Sequence, residues 1–293
     1  MKTSDRRLIS FFLIPPIFIL MGITFYPFLF GIYNSFHNWL LYKPQMGKPF
    51  VGFQQYIRLF TDPNFWDASK HTLIYVILSV SLSILFGFIQ ALVLSRDEIK
   101  GKNIFRSILI IPLVVAPVVV GFAFRFMYNA DLGVLPWLFQ QIGIRIPRIL
   151  GDPNIALFAV ILVDVWNQTP LAFMVLLAAI QSINPELYEV ASIDGASYWQ
   201  SLRHVTIPML RRAFLVVILL RVIDAFKAFD ILYVMTEGGP GRATEVLSTL
   251  GYRYAFVGWR MGTASAFALV LFYSVVIVSS LFIRILKGDE SYA

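Results

Sequence analysis

The sequence predicts an all-α integral membrane protein with six transmembrane helices. Apolar residues make up 58% of its 293 residues, charged residues only 14%, and phenylalanine alone occurs 27 times. These proportions lie far outside the range of soluble domains. Each apolar run is long enough for a helical span, because the hydrocarbon core of a bilayer requires about 20 residues. The runs lie at residues 8–33, 72–94, 104–127, 155–181, 213–235 and 262–286.

The first run is much longer than the roughly 7–15 apolar residues of a cleaved signal peptide, and no small-residue cleavage site follows it. We therefore expect it to remain attached as the first helix. The predicted organisation is a single transmembrane domain over residues 1–293. It comprises an N-terminal helix at about 8–33, a core of helices two to six at about 72–286, and a projecting segment at 185–208.

The distribution of Lys and Arg predicts that both termini lie in the cytoplasm. Twelve of these residues fall in the terminal segments, in the connections after the second and fourth runs, or, for Arg106 and Arg284, at the adjoining ends of runs. Nine are spread through the longer connections on the opposite side. Positive residues concentrate on the cytoplasmic side of membrane proteins. The expected location is a bacterial cytoplasmic (inner) membrane, crossed several times. This rule also accounts for the net charge of +7, so we expect lipid rather than nucleic acid around the chain.

The connection at residues 185–208 is polar and amphipathic, and it predicts an elbow of two short helices. Asn184 is placed to cap the first helix, and Asp194–Gly195 to end it. The residues from Ser197 to Gln200 match a capping box at the start of the second helix, and Pro208 is expected to stop that helix. Its topology places this elbow in the cytoplasm.

The elbow carries more apolar surface than a solvated connection needs. A surface of this kind, rimmed by charge, indicates a protein partner. The alternative is an elbow that lies on the lipid headgroups. The apolar residues are Leu187, Tyr188, Val190, Ala191, Tyr198, Trp199 and Leu202.

A sequence signature favours the protein partner. Glu189-Val190-Ala191, three residues, Gly195, nine residues and then Val205-Thr206-Ile207-Pro208 resemble the EAA-x3-G-x9-I-x-L-P signature of ABC-importer membrane subunits. Val190, Val205 and Ile207 depart from it but remain apolar. Further segments resemble carbohydrate-uptake permeases of the maltose and glycerol-3-phosphate importer type, and the first helix and outer loop resemble the F-type subunit. These segments are FVGFQQY at 50–56, YEVASIDGAS at 188–197 and FDILYVMTEGGP at 229–240.

The resemblance implies a transport subunit that is not itself an enzyme. In that family the elbow is the coupling helix, which docks on a cytoplasmic ATPase. The implied partners are a second, G-type permease, two ATPase subunits, an extracytoplasmic solute-binding protein and a sugar. ATP-driven alternating access would move the substrate. The residues expected to couple to the ATPase are Glu189, Ala191, Asp194, Gly195, Ala196, Val205, Ile207 and Pro208.

The sequence lacks an ATP-binding motif, which agrees with ATP binding by a separate subunit. No Gly-x4-Gly-Lys-Ser/Thr phosphate loop occurs in it. We therefore expect no cofactor on this chain, with ATP-Mg bound by the partner ATPase. The three histidines lie in separate loops without metal-ligand spacing, so neither a metal site nor a catalytic set is expected.

The candidate substrate pathway consists of polar residues at membrane depth, where charges are costly. Residues of this kind suit sugar hydroxyls and sugar rings, but they also suit a structural network between helices. Three cations, Arg125, Arg221 and Lys227, raise the possibility of an acidic oligosaccharide, with a neutral one as the default. The pathway candidates are Asp164, Trp166, Asn167, Gln168, Arg221, Asp224, Lys227, Asp230 and Tyr233.

An ion-driven secondary transporter or channel is the competing function. Proteins of that class place carboxylates at mid-membrane to bind protons or sodium, and Asp164 in the fourth run is a candidate. The chain shows no second half that repeats the first, and an elbow of this kind is unusual in that class. The sequence therefore favours the importer.

Overall fold

The described part of the chain is mainly helical, with isolated β-bridges between its connections. The structure is a computed structural model that describes residues 3–96, 98–143 and 148–288. Two π-helical turns occur, at Leu202–Thr206 and Arg253–Val257. Within the described residues the α-helices are α1 Thr3–Ser35, α2 Gln54–Thr61, α3 Pro63–Leu94, α4 Lys102–Val114, α5 Pro117–Met127, α6 Val134–Gln141, α7 Ala156–Gln181, α8 Glu186–Ile193, α9 Tyr198–Ser201, α10 Ile207–Met209, α11 Arg211–Lys227, α12 Asp230–Thr236, α13 Leu247–Tyr252 and α14 Met261–Gly288.

These helices confirm the predicted all-α membrane architecture. In the described ranges, four stretches are long and apolar enough to cross a membrane: Phe11–Ser35, Pro63–Leu94, Ala156–Gln181 and Met261–Arg284. The pair α4 and α5 makes a fifth if it is counted as one broken span. Helix length and composition therefore do not confirm the predicted count of six.

The predicted third span, residues 104–127, is bent rather than continuous. The axes of α4 and α5 meet at 95°. Val115 and Ala116 between them are extended, with ψ angles of 127° and 134°. Pro117 explains this conformation, because a proline ring disfavours helical geometry in the preceding residue.

The predicted fifth span, residues 213–235, is divided between α11 and α12. Ala228 leaves the helix with ψ 122°, and Phe229 follows with φ −132°. The Ser248 hydroxyl donates a hydrogen bond to the Ala228 carbonyl at this break. A side chain thereby replaces the helical N–H that this carbonyl would otherwise accept.

The chain divides into two units. One consists of residues 1–66 and 250–274, and the other of residues 67–249 and 275–293. In the first unit, Gln55 and Leu59 of α2 are fully buried. The second unit contains the elbow and every candidate pathway residue. The single domain predicted from the sequence stays a prediction.

Helix α7 lies at the centre of the second unit's core. Val160, Ile161 and Leu176 on it have at most 1% of their surface exposed. Gly87 on α3 permits close approach, because a Cβ atom there would lie 2.7 Å from both the Cβ of Ala172 and the backbone nitrogen of Phe173. This tight packing fixes α7 against α3 and positions the polar residues of both helices.

Candidate functional site

The first helix of the elbow, α8, has satisfied ends. Asn184 caps it as predicted, since its Oδ1 accepts the backbone N–H of Glu186 at 3.1 Å. Gly195 closes it with φ +75°, a left-handed conformation that favours glycine. The next N–H, from Ala196, donates to the Ala191 carbonyl at 2.9 Å. The elbow turn is therefore a defined helix end and not a loose connection.

The second helix starts as predicted but does not stop at Pro208. Ser197 and Gln200 form the capping box, and the Ser197 N–H donates to Gln200 Oε1 at 2.7 Å. The chain then continues through a π turn, in which the Ile207 N–H donates to the Leu202 carbonyl. Pro208 follows inside α10. The prediction was wrong because the wider turn shifts the hydrogen-bond register just before the proline, so the helix tolerates its missing N–H.

The apolar surface of the elbow differs in part from the prediction. Leu202 is buried, whereas Tyr188 and Ala191 are half-buried. Ile193, which the sequence analysis did not select, is 84% exposed. The large apolar residues exposed on the elbow are Leu187, Val190, Ile193, Tyr198, Trp199 and Ile207.

The elbow lies beside the ends of α3 and α7, and a cavity separates them in part. Its inner side encloses a cavity of about 540 Å³ with Ser95, Arg96 and Gln181. The Arg96 guanidinium carbon lies 4.9 Å from the centre of the Tyr198 ring. Hydrogen bonding to the Tyr198 phenol raises the pKa of Arg96, and the negative charge of that phenol when ionised raises it further. The elbow thus has a cation–π contact to the segment after α3.

The eight predicted coupling residues lie on or beside the elbow turn. Glu189, Asp194 and Gly195 are exposed, as are Ile207 and Pro208, whereas Ala191, Ala196 and Val205 are half-buried. The carboxylates of Glu189 and Asp194 and the turn at Gly195 are therefore all exposed.

Six of the nine candidate pathway residues line one cavity. It measures about 310 Å³ and lies where α3, α5, α7 and the α11–α12 break meet. Residues that the sequence analysis missed, Tyr75, Pro117 and Phe229, complete its wall. The six predicted residues are Asp164, Gln168, Arg221, Asp224, Lys227 and Asp230.

A buried ion pair forms the inner end of this cavity. Arg221 Nη2 donates to Asp164 Oδ2 at 2.8 Å, and the two side chains are 1% and 8% exposed. The same guanidinium donates to the hydroxyls of Ser79 and Ser83 at 2.8 and 3.2 Å, while Ser79 donates to Asp164. The network joins α3, α7 and α11. Tyr75, Ser79 and Ser83 recur every four residues, so polar residues on one helical face were the available sequence signal.

Two other charges of the cavity, Lys227 and Asp224, form an exposed pair. Lys227 Nζ lies 3.3 Å from Asp224 Oδ1, and both side chains are more than half exposed. Asp230 starts α12 beyond the helix break, so the predicted stripe of charges on one helix is interrupted there. Outside the cavity, Arg125 Nη1 donates to the Val234 carbonyl at 2.8 Å and lies 3.2 Å from Glu237 Oε1.

The remaining three pathway candidates lie elsewhere. Trp166 faces a separate, mostly apolar cavity of about 530 Å³ between α3, α4 and α7. Asn167 is buried and donates to the Pro112 carbonyl at 2.7 Å. Since α4 ends at Val114, that carbonyl has lost its helical donor, and Asn167 replaces it. Tyr233 stacks on Phe229 with ring centres 5.0 Å apart.

Comparison with known proteins identifies relatives along almost the whole chain. Residues 83–287 match the family described as the binding-protein-dependent transport system inner membrane component. The trehalose/maltose transport system permease protein MalF of Thermococcus litoralis is 34% identical over 280 residues, covering 94% of each chain. The trehalose transport system permease protein SugA of Mycobacterium tuberculosis is 30% identical over 97% of this chain and 90% of its own.

Solved structures share the fold. A chain of a bacterial ABC transporter involved in the import of the acidic polysaccharide alginate superposes with a TM-score of 0.83 at 24% identity. The match covers 97% of this chain and 96% of that one. The same kind of transporter, in complex with an alginate pentasaccharide-bound periplasmic protein, superposes with a TM-score of 0.81.

Proposed function

Since the chain belongs to the family of binding-protein-dependent transport system inner membrane components, we propose that it forms half of the membrane pathway of an ATP-driven sugar importer. The observation that carries this proposal is the elbow, a capped helical projection with an exposed apolar surface and an outward-facing Glu189 and Gly195. The sugar is proposed from relatives whose names state trehalose or maltose transport.

The proposed partners are those of a complete importer. A second permease would form the other half of the pathway, two ATPases would dock on the elbows, and a solute-binding protein would deliver the sugar. The solved relative in complex with a periplasmic protein supports the last of these. The proposed orientation places both termini and the elbow in the cytoplasm, where ATP is available. This chain would transmit motion, and the ATPases would bind ATP-Mg and hydrolyse it.

The elbow would act as a lever during transport. Its turn is rigid, because both helix ends at Gly195 and Ser197 are hydrogen-bonded. The elbow follows α7 directly in the chain, and Tyr198 contacts Arg96 just after α3. Helices α3 and α7 carry the buried Ser79, Ser83 and Asp164. Displacement of the elbow by the ATPases would therefore reach the helices that surround the polar cavity.

We propose a neutral sugar as the substrate. The cations that raised the possibility of an acidic one each have a carboxylate within 3.3 Å: Asp164 at Arg221, Asp224 at Lys227 and Glu237 at Arg125. An acidic sugar would have to compete with these carboxylates. Binding of a panel of neutral and uronate oligosaccharides to the purified complex tests this point. Equal or better binding of neutral sugars is expected, and a clear preference for uronates would contradict it.

The docking of an ATPase on the elbow is tested by co-purification. Trp199→Gln, in the exposed apolar surface of the elbow, is expected to lower the yield of co-purified ATPase several-fold. Trp137→Gln is the matched control, because Trp137 is also exposed, at 56%, but lies on α6. Equal loss in both variants, or none in either, would oppose an ATPase at the elbow.

An ion-driven transporter is not favoured. Its candidate carboxylate, Asp164, is held by Arg221 and Ser79 in the buried network. A carboxylate already neutralised by a guanidinium gains little from binding a second cation. The ion pair of Asp164 and Arg221 is better suited to a structural or gating role within an importer.

A further inference from the structure

Helix α2 has an unusual distribution of polar and apolar side chains. Its buried face carries the amide of Gln55, which is 0% exposed, together with Leu59. Phe53 at its N-terminus, Ile57 and Phe60 are exposed by 68%, 61% and 46%. The helix therefore presents an apolar stripe outward, away from the part of the first unit on which it packs.

The buried amide fixes this orientation. Gln55 Oε1 accepts the Thr263 hydroxyl at 2.8 Å, and its Nε2 donates to the His37 carbonyl at 3.3 Å and to Asn38 Oδ1 at 3.4 Å. Rotation of α2 to bury its apolar stripe would leave that amide without partners, which is costly. The outward stripe is thus a stable feature of the fold.

The stripe continues into the first turn of a membrane span. Asp62 alone separates α2 from α3, which is long and apolar enough to cross a bilayer. Trp66 in that first turn is 58% exposed, and its indole N–H donates to the Phe60 carbonyl at 2.9 Å. Tryptophan is enriched where spans meet the membrane surface. We call Phe53, Ile57, Phe60 and Trp66 the interfacial patch.

We propose that α2 lies in the membrane surface at the end of α3, with the interfacial patch at the boundary between headgroups and acyl chains. Arg58, on the adjacent side of the helix, is exposed and would face the headgroups or water. This arrangement matches interfacial amphipathic helices, which bury one apolar face in that boundary. The proposed partner is lipid, so the inference does not depend on the transported substrate or on an ATPase.

The absence of cysteine from the sequence allows a direct test. Ile57→Cys and the matched control Arg58→Cys are each labelled with an environment-sensitive fluorophore, in the purified protein with its co-purifying subunits, in liposomes containing lipids brominated near the top of the acyl chains. We expect several-fold stronger quenching at position 57 than at position 58. A Phe53→Cys variant repeats the measurement on the same stripe.

Two results would overturn the proposal. Equal quenching at positions 57 and 58 would show that the patch does not enter the lipid. An unquenched label at position 57 that becomes shielded from a water-soluble quencher only when a solute-binding protein is added would identify the patch as a protein contact. Both results are compatible with an importer, so failure here is distinguishable from failure of the proposed function.

Discussion

At the scale of single residues, the buried pair of Asp164 and Arg221 stabilises the centre of the second unit. Both charges are removed from water, so each depends on the other and on the hydroxyls of Ser79 and Ser83 for its solvation. Removal of one partner leaves an uncompensated charge, whereas removal of both leaves none. The effects of substitutions at Asp164 and Arg221 on stability should therefore be strongly coupled.

Loss of either charge is expected to destabilise the protein more than loss of both. Asp164→Asn or Arg221→Met should each cost about 3–5 kcal/mol, with a smaller cost for the double variant. Asp224→Asn is the control, since the exposed pair with Lys227 contributes about 0–1 kcal/mol. Unfolding of all four variants in detergent measures the coupling, and additive single effects would argue against a mutually dependent pair.

Asn167 is expected to matter for stability and not for substrate contact. Asn167→Ala leaves the buried Pro112 carbonyl without a donor, at a cost of about 1–3 kcal/mol. Gln168→Ala, one position along α7, removes a side chain of the cavity wall and should change stability less while affecting sugar binding more. The melting temperature and sugar affinity of both variants test this assignment. The opposite pattern would move Asn167 back among the pathway candidates.

At the scale of helices, the elbow depends on one glycine. A Cβ atom at Gly195 meets nothing within 4 Å, so only the left-handed backbone, at φ +75°, opposes a side chain. Gly195→Ala should therefore cost roughly 1–2 kcal/mol, confined to the elbow.

Hydrogen exchange of the amides at 186–206 measures this effect, and faster exchange there than in the native protein is expected. Gly31→Ala, inside α1 with open space around it, is the control and should not change exchange in the elbow. Unchanged exchange in Gly195→Ala would mean that the turn is not strained by a side chain.

The helical elements show what the sequence does and does not determine. Apolar runs predict the spans, and Asn184, Gly195 and the capping box at Ser197 predict the elbow, because these signals are local. The break at Ala228–Phe229 has no proline or glycine to indicate it, and it depends on Ser248, twenty residues away. The tolerance of Pro208 likewise depends on a π turn that residue types alone do not reveal.

The candidate site was likewise predictable from local signals only in part. Polar residues in apolar helices identified six members of the cavity, since such residues are rare and must face protein or water. Their pairing could not be predicted, because it depends on how α3, α7 and α11 pack against one another. The helical period places Trp166 on another side of α7 from Asp164 and Gln168, but it does not show which side faces the cavity.

At the scale of the whole molecule, the elbow and the polar cavity between helices belong to the same unit. The elbow follows α7 and contacts Arg96 just after α3, and those two helices hold two sides of the buried ion-pair network. An ATPase would move the elbow, and α3 and α7 would transmit that movement to the cavity. Transport systems of the family to which the chain belongs depend on a binding protein.

Stimulation of ATP hydrolysis tests whether the elbow couples the ATPases to transport. ATP hydrolysis by the reconstituted complex is measured with and without binding protein and sugar, for the native chain, for Glu189→Lys and Gly195→Pro, and for Asp131→Lys as an exposed charge reversal outside the elbow. We expect stimulation to persist in the native chain and in Asp131→Lys but to be lost in both elbow variants, although these variants reach the membrane. Equal stimulation in all four proteins, or no ATPase in the native complex, would contradict this expectation.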